Sequence, residues 1–269
     1  MLEILQAIIL GIIEGLTEFL PISSTGHLIV AQDLMNYKDT AEIFAVVIQS
    51  GAIAAVIWFY RNDLADKISG LFKGDKTVTK FWINWVIATI PAGLIGFIMR
   101  DTISKYAVAT TVAVALIVGG ILIWIIETYH KPVKSYSDGA RLNDMKTGQA
   151  FRVGLFQILA LIPGVSRSGA TIMGGLLSGL DRVTATAFSF YLSIPILVLA
   201  GAYQLVTGWN DLDTVAGGGL AILVGAVTAF ITALVAINWL LKYVSHHDFK
   251  PFAYYRIILG VIILGAIAL

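Results

Sequence analysis

Residues 14–27 read EGLTEFLPISSTGH, and residues 163–171 read PGVSRSGAT. The two segments sit inside apolar stretches, roughly 4–35 and 148–180, and share a plan: a proline, a run of small residues, and polar or charged groups beside them. Within a bilayer, charge and non-helical backbone persist only where protein or a water-filled cavity surrounds them. The pair therefore predicts two broken helices that meet at one site.

The surroundings of these segments set the class. The chain has 269 residues, 58% hydrophobic and 13% charged, with a mean hydropathy of +0.85. A soluble domain carries about a quarter charged residues, so this chain has too few to cover a water-facing surface. A net charge of +1 with no basic stripe argues against a nucleic-acid partner. The absence of cysteine excludes disulfides, thiolate metal sites and a cysteine nucleophile. No Lys or Arg precedes Lys38, so the first segment lacks the basic start of a secretory signal and is expected to stay in the mature protein.

A span needs about 20 mainly apolar residues, and six stretches qualify: roughly 43–60, 81–99, 106–126, 183–207, 214–241 and 251–269. Arg256, near the start of the last, is expected to snorkel to the interface. Trp58, Trp82, Trp85, Trp124, Trp209 and Trp239 fall mostly near span ends and read as interfacial anchors. Lys and Arg crowd the 61–80, 128–152 and 242–256 connections and are absent from 208–213. By the positive-inside rule the first three are cytoplasmic and the last is external. That parity holds only if 148–180 enters the membrane and returns to the same side.

The halves also align at an offset of 143: Gly11 meets Gly154, Glu14 meets Gln157, Ser23 meets Ser166, Thr25 meets Ser168 and Gly26 meets Gly169. With three spans per half the second copy is inverted, so the first polar segment is re-entrant from outside and the second from inside. The expected architecture is an all-α integral membrane protein with six transmembrane helices and two re-entrant broken-helix segments, arranged as an inverted repeat. Its units are 1–130 and 148–269, joined by a cytoplasmic linker at 131–147.

The chemistry follows from residue types. Glu14 and Glu18, four apart, share a helix face. Deep in an apolar segment they are costly unless they bind a cation, share a proton or pair with a base. Near phosphate, such a pair suits a divalent cation, Mg²⁺ or Ca²⁺, which takes oxygen ligands. Pro21 ends one helix, and Ser23, Ser24 and Thr25 are N-cap types for the next, whose free N–H groups make an anion site. His27 follows on the first turn as a candidate base or nucleophile. In the second segment Pro163-Gly164 stops a helix, and Ser166, Arg167, Ser168 and Thr171 crowd the turn. The arginine fork suits phosphate oxygens, with a salt bridge to Glu14 or Glu18 as the plain alternative.

Carried by these two motifs, the chain resembles the bacterial undecaprenyl-diphosphate phosphatase family, also called the bacitracin-resistance family, over essentially its whole length. The resemblance implies removal of the terminal phosphate from a C55 polyprenyl diphosphate, recycling the carrier lipid for peptidoglycan synthesis. It also implies residence in the bacterial inner membrane. It assigns catalytic work to Glu18, Ser24, His27 and Arg167. Phosphate binding falls to Ser23, Thr25, Ser166, Arg167, Ser168 and Thr171, and metal binding to Glu14 and Glu18. The STGH run is also similar to the PSGH of type-2 phosphatidic acid phosphatases, whose other motifs are missing here. Three nucleophiles stay open: Ser24 with His27 as base, His27 itself, or a metal-activated water. A polyprenyl-phosphate transporter or flippase is the rival class, since paired re-entrant segments also build transporters. The expected partners are the polyprenyl diphosphate and membrane lipid, and a homodimer stays open as an assembly. The charge count predicts an active site open to the outer face.

Overall fold

The computed structural model describes every residue except 38, 40–42, 131–132, 134–139, 208–214 and 269. Lys131 and Lys134 of the basic 128–152 connection, Trp209 among the expected anchors, and nearly half of the 131–147 linker thus lie outside the described residues. The described chain is helical: α1 (Leu2–Thr17), α2 (Ser24–Leu34), α3 (Ile43–Phe59), α4 (Arg61–Phe72), α5 (Lys76–Lys105), α6 (Ala109–Tyr129), α7 (Thr147–Ile158), α8 (Arg167–Leu177), α9 (Arg182–Thr207), α10 (Gly218–Val244) and α11 (Lys250–Ala268). Five of these, α5, α6, α9, α10 and α11, are long and apolar enough to cross a membrane. The sixth expected span is α3, which is 17 residues long and continues into α4 after a 69° bend. The 61–80 connection is therefore itself largely helical. The outer surface carries large apolar side chains such as Leu94, Leu223, Val235 and Ile258, as a lipid-facing surface requires. Trp82 and Trp85 differ from simple anchors: they pack on the core and donate their N–H groups to the Lys67 and Tyr191 carbonyls.

Helices α1 and α2 are 16 and 11 residues long; at about 1.5 Å per residue neither reaches across a ~30 Å apolar layer. They form a hairpin. Gln6 Nε2 donates to the Met35 carbonyl at 2.8 Å, so the end of α2 comes back to the start of α1. Glycines let this hairpin sit close to α10, where Glu3 lies by Gly217, Gly11 by the Gly225 carbonyl and Gly15 by the Ala229 carbonyl. Residue numbers rise together along the two helices, so α1 and α10 run parallel.

Helices α7 and α8 form the second hairpin, closed by Gln149 Nε2 donating to the Ser178 carbonyl at 3.0 Å. Asn84 Nδ2 donates to the Met145 carbonyl and Gln157 Nε2 to that of Ala88, so α7 runs parallel to α5. The closed end of this hairpin adjoins the end of α6, where His130 Nε2 bonds the Leu176 carbonyl. The end of α10 arrives there too, through the Phe249 amide on Glu127. The hairpins therefore enter from opposite ends of the molecule. Packing also interlocks the halves, since α1 lies on α10 and α7 on α5.

Candidate active site

Both helix breaks are written locally. The α1 helix stops at Thr17, and Pro21 cannot donate into a continuing ladder. Ser23 then takes φ +72°, an unusual conformation for a residue with a side chain, and caps α2, its Oγ accepting from the Gly26 amide at 3.4 Å. In the second break Gly164 has φ +92° and lies where any Cβ would meet the Val112 backbone, so only glycine fits. Ser166 caps α8, accepting from the Gly169 amide at 3.1 Å. At each break the first amides of the new helix, those of Ser24 and Thr25 and of Arg167 and Ser168, have no intrahelical acceptor.

The breaks meet. Ser168 Oγ donates to the Leu20 carbonyl at 2.8 Å, and Ser166 Oγ bonds Ser168 Oγ at 2.8 Å. Arg167 Nη2 reaches Glu18 Oε1 at 3.2 Å, while its Nη1 donates to the Ser189 carbonyl at 2.8 Å. The other Glu18 oxygen accepts from Ser24 Oγ at 2.5 Å. The salt bridge foreseen as the plain alternative for Arg167 is therefore present, and it belongs to the same cluster as the serine. Thr171 Oγ1 bonds Ser189 Oγ at 2.7 Å, and so supports the strand of contacts beneath Arg167.

These groups form the floor of a cavity of about 940 Å³ lined by Glu18, Ser23, Ser24, Thr25, Ser166 and Arg167, with Gln49 and Gln157 beside them. Its walls come from α5 and α9, and every lining residue on them lies past Pro91 or Pro195, from Ala92 and Ile196 onward. A proline inside a helix deletes one ladder bond and bends the axis, and the cavity begins where both helices carry one. Apolar residues such as Phe97, Ile103 and Leu199 follow, and Arg100, Ser104, Gln204 and Thr207 stand near the helix ends. That mouth is at the end away from the basic connections.

Several expected residues stand elsewhere. Ser168 and Thr171 are buried and do not line the cavity; Ser168 ties the second break to the first, and Thr171 ties α8 to α9 through Ser189. Glu14 is fully buried; Gln49 shares its surroundings, yet neither Glu14 oxygen has a hydrogen bond of ordinary geometry. His27 is also absent from the lining. Its Nδ1 bonds the Ser23 carbonyl at 2.7 Å and must be the donor, and its Nε2 meets Tyr255 OH at 2.7 Å. The structure thus gives the Ser24 proton to Glu18 rather than to His27.

One site-forming residue escaped sequence reading. Arg256, expected at the interface, is 1% exposed and points inward to the carbonyls of Pro21, Ala115, Leu116 and Gly164. It cannot snorkel, because α11 turns that face toward α6 and the two breaks. The only local signal was an arginine more than a turn inside an apolar helix.

The family profile of Bacitracin resistance protein BacA matches residues 7–262. An undecaprenyl-diphosphatase of Methylobacillus flagellatus is 46% identical over 268 residues, 98% of both chains. Proteins of the same name from Nitrosomonas europaea and Clostridium tetani are 48% and 46% identical over 266 residues, covering 98% of this chain and 94% and 96% of theirs. The chain belongs to the bacitracin resistance BacA family.

Proposed function

We propose that this chain is an undecaprenyl-diphosphatase, removing the terminal phosphate of a C55 polyprenyl diphosphate and so recycling the lipid carrier of cell-wall synthesis. The observation that carries the reading is the Ser24–Glu18–Arg167 chain of contacts on the floor of a cavity with apolar walls. A serine whose proton already rests against a carboxylate is an activated nucleophile. Ser24 Oγ attacks the terminal phosphorus and passes its proton to Glu18 Oε2. The bond from phosphorus to the bridging oxygen breaks, and the prenyl monophosphate leaves with the electron pair. Water then hydrolyses the phosphoserine. Arg167 and the amides opening α2 and α8 hold the equatorial oxygens, where charge is spread in the transition state. His27, tied to Tyr255 and the Ser23 carbonyl, orients the turn that carries Ser24.

The buried, unpartnered oxygens of Glu14 fit a hard divalent cation, Mg²⁺ or Ca²⁺, with Glu18 as the second carboxylate. Among the described residues no group of three acidic or histidine side chains gathers there, so Glu14 and Glu18 would hold such a cation as a pair and would need further oxygen ligands from outside the chain. When bound, it neutralises diphosphate charge. The mouth faces away from the basic connections, which supports an active site open to the outer face of the bacterial inner membrane.

The test is release of phosphate by purified protein in detergent, given a polyprenyl diphosphate and a divalent cation. Hairpins entering from opposite ends are also a transporter design, so prenyl-phosphate translocation is the rival. Hydrolysis absent in detergent but translocation present in vesicles would favour it.

A further inference from the structure

Arg256 spends four hydrogen bonds on backbone carbonyls. Nη1 donates to Pro21 at 3.1 Å, Nη2 to Ala115 at 3.1 Å and Gly164 at 3.2 Å, and Nε to Leu116 at 3.4 Å. Pro21 and Gly164 are the residues on which the two hairpins break. Both carbonyls lie in the breaks, between helices and outside any helical ladder, and a buried carbonyl left without a donor is costly. One guanidinium therefore serves one such carbonyl from each hairpin at once, and it has no salt bridge among the described residues. A guanidinium spreads its donors over three coplanar nitrogens, all of them used here, whereas an ammonium must donate from a single nitrogen.

The surroundings are cut to hold that fork. At Gly119 of α6 an added Cβ would overlap Arg256 Nη2, and at Gly169, two residues after Arg167, it would lie 3.4 Å from Nη1. The preceding residue, Tyr255, hydrogen-bonds and stacks on His27, with ring centroids 5.6 Å apart. The first third of α11 thus touches both breaks and the turn behind Ser24. Arg256 does not line the cavity.

We propose that Arg256 is a positioning residue: by clamping the Pro21 and Gly164 carbonyls together it sets the register between the hairpins, and so the geometry of Ser24, Glu18 and Arg167. The inference rests on the phosphatase reading of that site. Two variants test it. Gly119→Ala keeps the arginine and its charge but pushes the fork aside, and alanine is at home in a helix interior. Arg256→Lys keeps the charge and removes the fork. Each is measured for kcat and KM on a polyprenyl diphosphate, and for the thermal midpoint with and without inorganic pyrophosphate plus Mg²⁺.

Both variants should stay folded while kcat falls about 10- to 100-fold, the scale of an ångström-sized misplacement. KM should change far less, and the pyrophosphate-induced rise in midpoint should shrink. The double variant should lose no more than Arg256→Lys alone, because both changes act on one contact. Wild-type kcat and an undiminished pyrophosphate shift in folded Gly119→Ala would overturn the inference, as would losses that multiply in the double variant. If neither variant folds, Arg256 is a packing residue and the inference fails. A wild-type protein that releases no phosphate refutes the phosphatase reading instead, and the pyrophosphate shift still reports on the clamp.

Discussion

Changing Glu18 to Gln removes one charge and almost no volume, which isolates what the carboxylate does. In the structure its two oxygens divide their work, one accepting from Ser24 at 2.5 Å and the other from Arg167 at 3.2 Å. A glutamine can still accept one hydrogen bond but cannot take the serine proton. Positioned general-base catalysis contributes about 10²- to 10⁴-fold, or roughly 2.7–5.5 kcal/mol of barrier at 1.36 kcal/mol per decade. That is the expected loss in kcat. The substrate is anionic, and the change leaves Arg167 without its counter-charge beside the cavity floor, so at saturating cation KM should hold or fall. The unpaired guanidinium also destabilises the fold, by up to about 3–5 kcal/mol if nothing compensates; the Ser189 carbonyl, kept at 2.8 Å, reduces that. Steady-state phosphate release in detergent, with thermal unfolding in parallel, reads all three quantities. A variant with wild-type kcat and a raised KM would refute the base role and reduce Glu18 to a binding group.

Arg167→Lys should lower kcat/KM about tenfold or more while the protein stays folded, because a point charge cannot hold two phosphate oxygens as a fork does; wild-type turnover would make Arg167 merely structural. Ser24→Ala should abolish a phosphoenzyme trapped in single turnover, and a trapped label mapped instead to His27 would reassign the nucleophile. Gly15→Ala places a Cβ against Thr232 Oγ1 and the Ala229 carbonyl, so overpacking should cost about 1–3 kcal/mol, visible as a lower thermal midpoint. Single cysteines in this cysteine-free chain should react with an impermeant thiol reagent in intact cells at Asn36 but not at Ser69; the reverse would turn the cavity mouth to the cytoplasm.

Sequence alone determined where the helices break and what kind of solvent surrounds them. Pro21, Pro163-Gly164 and the capping serines act within a few residues, through a missing donor, a positive φ and a local hydrogen bond, so their effect is the same wherever the chain goes. The shortage of charge and the spacing of apolar stretches likewise report the bilayer, and the parity of basic connections anticipated the return of the second hairpin that Gln149 closes. Tertiary structure decided which polar groups find each other. The i, i+3 spacing of Ser24 and His27 was equally compatible with a serine–histidine pair, but Tyr255 on α11, 228 residues away, holds the histidine, and Arg167, 149 away, sets Glu18 beside the serine. Arg256 shows the same division. From its neighbours in sequence it could reach the interface or the interior with equal ease, and only the assembly of α6, α11 and both breaks placed the Pro21 and Gly164 carbonyls within its reach. A charge near a helix end goes where its partners are, and those partners lie on other helices.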